Sequence, residues 1–218
     1  MTNEGILTSG EVLEVLEILE KTYPDASCEL NHRTPYQLLA AVMLSAQTTD
    51  KRVNQVSEEL FLRYPDAAAM TRADSTELER ILKPIGMYKT KTEKLLKLSR
   101  MLMEKYNGEV PEDQDLLEEL PGIGRKSANV VMADAFGCQR IAVDTHVFRV
   151  SNRIGLVSEK DVLHTEQALM EVLPENQWTK SHHRLIWHGR RVCKARSPEC
   201  AVCPLRKICR KTGVKTDQ

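Results

Sequence analysis

At 218 residues, 41% hydrophobic and 28% charged, the chain has the make-up of a globular protein that can bury a sizeable core as one large or two small domains. Its longest apolar run, Leu38 to Leu44, is seven residues against the roughly 18 a membrane span needs, which excludes a transmembrane helix. The opening Met1-Thr2-Asn3-Glu4-Gly5 lacks the basic-then-apolar order of a secretory signal, so the expected location is cytoplasmic.

Apolar residues recur at helical spacing in Val12, Leu13, Val15, Leu16 and Leu19, again from Tyr36 to Leu44, and again in Leu95, Leu96, Leu98, Met101 and Leu102. No sustained alternation of period two interrupts them. Pro and Gly punctuation cuts the chain into pieces of roughly 10 to 20 residues, the ordinary length of helices, and predicts an all-α protein of about ten helices. Leu82-Lys83-Pro84-Ile85-Gly86-Met87 is one helix-to-helix turn of this kind.

Leu120-Pro121-Gly122-Ile123-Gly124-Arg125-Lys126 is a second such turn, with more chemistry in it. Gly122 and Gly124 let the backbone turn sharply and expose consecutive N–H groups, which with the start of the helix Gly124–Phe136 make an anion site; a plain helix connection is the alternative. Lys126 falls in that helix's first turn. An exposed lysine is the commoner fate, but here the helix N-terminus and Arg125 both disfavour a further positive charge, which suits a nucleophilic amine. The helix carries the chain about 18 Å away. Gly137 then breaks it, and seven extended residues can return some 23 Å to Asp144 in Val143-Asp144-Thr145-His146. Asp144 is also the expected N-cap of a helix Thr145–Ile154.

Net charge is zero but unevenly spread. Residues 1–120 carry 14 basic and 22 acidic side chains, a balance of −8, and residues 121–218 carry 17 and 9, a balance of +8. Lys180 to Lys211 hold ten basic side chains and one acid, Glu199, a local footprint for a polyanion or else a solvated basic tail. Within this stretch lie Cys193, Cys200, Cys203 and Cys209. Their uneven gaps, with a single Cys-x-x-Cys pair, favour a 4Fe-4S cluster over zinc, which usually draws on two close pairs. A loop pinned at both ends by Cys193 and Cys200 would present Lys194 and Arg196 to phosphates. Cys28 and Cys138 read as small buried hydrophobes, and His182, His183 and His188 as packing or phosphate contacts.

Taken together, the 120–126 turn, Val143-Asp144-Thr145-His146 and the cysteine spacing resemble the endonuclease III family of helix-hairpin-helix DNA glycosylases. Leu44-Ser45-Ala46-Gln47-Thr48-Thr49-Asp50 and Ile85-Gly86-Met87-Tyr88 extend the likeness over nearly the whole chain. The resemblance implies a two-domain helix-hairpin-helix glycosylase fold with a 4Fe-4S cluster loop. A six-helix domain would cover 28–138, and a second would join 1–27 to 139–218, with DNA in the cleft between them. It implies a monomeric bifunctional glycosylase and AP lyase acting on double-stranded DNA that contains oxidised pyrimidines or abasic sites, with the damaged nucleotide flipped from the stack. By the same resemblance Lys126 attacks C1′, Asp144 supports the cationic sugar and helps deprotonate the lysine, and the four cysteines hold the cluster. Gly122, Ile123, Gly124 and Arg125 bind phosphate, Gln47 fills the gap left by the flipped nucleotide, and Met87 wedges into the opposite strand, where family members often carry leucine. Glu199 makes the cluster loop less basic than is usual.

Two other readings compete. An adenine glycosylase of the same superfamily shares the cluster and the aspartate, but its branch typically lacks the lysine and adds a C-terminal domain, whereas nine residues follow Cys209 here. A non-catalytic DNA-binding module, with the cluster or a zinc ion as a staple, would need the hairpin but not Lys126.

Overall fold

A computed structural model describes residues 5–214; the opening Met1–Glu4, read above for a secretory signal, lies outside them. Eleven α-helices and one 3-10 turn, without a strand among the described residues, make the chain all-α. In order they are α1 (Ser9–Thr22), α2 (Pro35–Leu44), α3 (Asp50–Arg63), α4 (Ala67–Thr71), α5 (Ser75–Leu82) and α6 (Tyr88–Tyr106). There follow α7 (Gln114–Glu118), α8 (Arg125–Phe136), α9 (Thr145–Ile154), α10 (Val162–Val172) and, after the 3-10 turn Glu175–Gln177, α11 (Trp178–Arg191). They sort into two compact units, Glu29–Cys138 and the segments on either side of it.

The Glu29–Cys138 unit holds seven helices where six are expected; two of them, α4 and α7, are five-residue helices each capped by its own aspartate, Asp66 and Asp113. Its centre is α2. Thr34 caps it, Pro35 sets its first turn, and nine of its ten residues are buried, so Tyr36 to Leu44 form a helix apolar all round rather than a stripe. α2 packs against α8, α3 and α6. Tyr36 takes its hydroxyl inside and bonds it to Ser99 Oγ on α6 at 2.9 Å, which satisfies both buried groups.

The other unit gathers α1, α9, α10, α11 and the cysteine segment. A capping box starts α1: Glu11 N donates to Thr8 Oγ1, and Thr8 N donates to Glu11 Oε2. Its buried stripe of Val12, Val15, Leu16 and Leu19 joins Val147, Val150, Ile154, Leu169, Leu185, Leu205 and Ile208 in one core. α9 packs along α11. His182, His183 and His188 are all buried on α11, so of the two roles expected for them the structure supports packing; they are not placed to meet phosphate. Cys28 and Cys138 sit in connecting segments and are only half-buried, a correction to their reading as core residues. The Cys138 thiol faces Glu112 Oε1 at 4.0 Å.

Candidate nucleic-acid interface and metal centre

The hairpin joins α7 to α8, which pack together. Ile123 donates its N–H to Leu120 O at 3.0 Å and plugs its buried side chain beneath the turn, while Gly122 and Gly124 on either side are exposed. The two glycines serve different ends. Gly122 has φ +88°, and a Cβ there would meet Met43 Cγ at 3.0 Å and Lys94 Cδ at 3.2 Å. Gly124 has an ordinary extended backbone and open space around it, so its missing side chain leaves the turn approachable. Gly122→Ala is therefore expected to cost about 1–2 kcal/mol in thermal or urea unfolding, and Gly124→Ala much less. In a duplex titration Gly124→Ala should instead lower affinity. Equal stabilities of the two variants would contradict this division.

Gly124 also caps α8 without a side-chain hydrogen bond. Within its unit α2, α4, α5 and α7 are all capped by side chains, from Thr34, Asp66, Asp74 and Asp113. The uncapped helices are α3, α6 and α8. They are the ones that follow Gln47, Met87 and the hairpin. Their first-turn N–H groups have no side-chain acceptor at the cap and suit an outside anion.

Gln47 and Met87 share a further trait, a left-handed backbone with φ +53° and +56°, uncommon for residues other than glycine. Both are exposed, Met87 to 49%, although Met is ordinarily buried. Lys126 is exposed in the first turn of α8 and makes no hydrogen bond or ion pair among the described residues. Arg125 is exposed beside it.

Asp144 lies in the other unit, at the N-cap of α9. Its Oδ1 accepts from His146 N and Val147 N, both at 2.8 Å, and Oδ2 accepts no hydrogen bond among the described residues. The carboxylate is thus held by one oxygen and presents the other. Burial holds the neighbouring His146 below the usual histidine range, only partly offset by the Asp144 charge.

Cys193, Cys200, Cys203 and Cys209 line one cavity together with Ile154, Val192, Pro198 and Leu205. Burial, and then the nearby thiols, push Cys203 and Cys209 above the ordinary thiol value, so thiolates gathered here call for bound positive charge. Lys211 N donates to Cys209 Sγ at 3.3 Å, and the Arg153 guanidinium stands 3.7 Å from Cys193 Sγ, as thiolate ligands require. A polynuclear iron-sulfur group fits this donor set.

Two arginines missed in the sequence brace the loop. Arg149 donates to Cys193 O at 3.0 Å, and Arg153 donates to Lys194 O and Ala195 O at 2.7 and 2.8 Å. Lys194 is not the free cation expected, because its ammonium pairs with Glu199 across the same loop. Arg196 stays exposed with no ion pair among the described residues.

Residues 40–175 match the HhH-GPD superfamily of base excision DNA repair proteins, and residues 193–209 match the iron-sulfur binding domain of endonuclease III. Endonuclease III of Bacillus subtilis is 48% identical over 204 residues, covering 93% of each chain. The chain belongs to the endonuclease III family. Endonuclease III of Escherichia coli K12 is 45% identical over 203 residues, 93% of this chain and 96% of that one. Among solved structures, a trapped endonuclease III–DNA covalent intermediate is 48% identical, with a TM-score of 0.90 over 94% of this chain and 97% of that one. A thermostable thymine-DNA glycosylase, at 23% identity and TM-score 0.82, shares the fold. As in endonuclease III, the cofactor is a 4Fe-4S cluster.

Proposed function

We propose that this chain binds double-stranded DNA, excises oxidised pyrimidines, and cleaves the strand 3′ to the resulting abasic site by β-elimination. The observation that carries the reading is Lys126, exposed in the first turn of an uncapped helix directly after the glycine hairpin. Phosphate oxygens accept from the hairpin amides and from the first-turn N–H groups of α8, which places a sugar beside that turn. The neutral amine of Lys126 attacks C1′, and the C–N bond to the damaged base breaks with its electrons leaving on the base. Ring opening gives an imine to Nζ, which acidifies C2′–H. Loss of that proton expels the 3′ phosphate.

Asp144 supports the positive charge that builds on the sugar, a task for a carboxylate fixed in place before the charge develops. Gln47 and Met87 enter the duplex, Gln47 at the vacated position and Met87 against the opposite strand. Cys193, Cys200, Cys203 and Cys209 hold the cluster, which staples the loop carrying Arg196 and so pre-orders a phosphate contact. The protein acts as a monomer in the cytoplasm.

Incubation with duplexes carrying thymine glycol, other oxidised pyrimidines or an abasic site, in the presence of borohydride, tests the substrate class. An adduct with each is expected. An adduct with the abasic duplex alone would leave a lyase without the glycosylase, and none at all would leave a DNA-binding module.

A further inference from the structure

Lys91 is out of place electrostatically. It lies in the first turn of α6, where the helix dipole disfavours a cation, and its side chain is buried, with 3% exposure. Burial pushes its ammonium below the ordinary lysine value. Its hydrogen bond among the described residues goes to a hydroxyl, Thr48 Oγ1 at 2.6 Å, and no carboxylate pairs with it. A methionine of similar length would pack there without the desolvation cost, so the cation is not explained by stability.

What the ammonium holds is the loop around Gln47. Thr48 Oγ1 accepts from Lys91 and donates onward to Ala46 O at 3.4 Å, while Thr48 N donates to Ser45 O at 3.0 Å. The residues on both sides of Gln47 are therefore tied to one hydroxyl, which is tied to Lys91. The backbone of Lys91 reaches the other loop: its N–H donates to Met87 O at 2.9 Å. Gln47 and Met87, two exposed residues of this unit with a left-handed backbone, are thus linked through one residue.

We propose that Lys91 is a positioning residue that, through Thr48, fixes Gln47 relative to Met87 for insertion into DNA. This rests on the reading of those two side chains as the ones that enter the duplex. A pair set before contact spends no binding energy on ordering two strained loops, and a misplacement of about 1 Å in such a pair can cost roughly a hundredfold in rate.

The test uses the full-length, cluster-loaded protein and a thymine-glycol duplex with 2-aminopurine beside the lesion, whose fluorescence rises on unstacking. Thr48→Val and Lys91→Met should each lose most of that rise and lower kcat/KM roughly 10- to 100-fold, while Thr48→Ser retains both. The unfolding temperature of Lys91→Met should equal or exceed that of the parent, which a merely structural lysine would not allow. In a Gln47→Ala background, Thr48→Val should add no further loss. Unchanged fluorescence and kcat/KM in Thr48→Val alone, or losses that add in full to those of Gln47→Ala, would overturn the proposal. If Gln47→Ala itself moves neither readout, the insertion reading of Gln47 fails and the proposal falls with it, an outcome told apart because that variant leaves Lys91 and Thr48 intact.

Discussion

Lys126→Gln is expected to abolish the borohydride-trapped adduct and to lower strand scission by roughly 10³-fold or more, while damaged duplex is still bound. The first half follows from the chemistry, since an amide nitrogen cannot form the imine and the elimination then lacks its electron sink. The second half follows from position. Lys126 is exposed and makes no hydrogen bond or ion pair among the described residues, so its replacement should shift stability by no more than about 0.5 kcal/mol. The hairpin amides proposed to hold phosphate belong to the backbone and survive the change. Trapping, gel-resolved scission and a binding titration on one preparation check all three. A variant that still traps covalently would move the nucleophile to another amine, and one that loses binding along with trapping would make Lys126 a phosphate contact instead.

Asp144→Asn is expected to lower base removal roughly 10²- to 10⁴-fold with a stability change below about 1 kcal/mol, whereas Asp144→Ala should lose a similar rate and about 1 kcal/mol as well. The contrast exploits the split duty of the two oxygens. Oδ1 takes both capping bonds to α9, and an asparagine oxygen can take the same bonds. Only the charge is lost. Single-turnover excision beside thermal unfolding reads the two effects apart. If the asparagine variant keeps its rate and the alanine variant loses it in step with stability, Asp144 is a cap and nothing more.

How much of this was legible in the sequence depends on the range of the physics involved. The helix Thr145–Ile154 is observed with the bounds expected, and Asp144 caps it, because an aspartate before an apolar-periodic run acts over three residues. α8 starts one residue later than expected, since Gly124 serves as its cap. Glu199 was visible as the acid in a basic stretch, but its pairing with Lys194 required the loop to fold back. Arg149 and Arg153 looked like two more cations on a helix, although their acceptors lie some forty residues on. Lys91 was hidden for the same reason: nothing local marks a lysine for burial. Nor does glutamine or methionine favour a left-handed backbone, so the shared conformation of Gln47 and Met87 belongs to tertiary structure alone.

The burial of α2 has a mechanical consequence. If Gln47 enters the duplex as proposed, the bases it parts push back, and that load would pass through Ser45 and Ala46 into Leu44, the last residue of a helix with apolar contacts on every side. A helix with one wet face could recoil toward solvent, whereas α2 has α3, α6 and α8 around it and a close-packed interior yields little. The thrust would then be borne by the core, and the deformation left to the DNA.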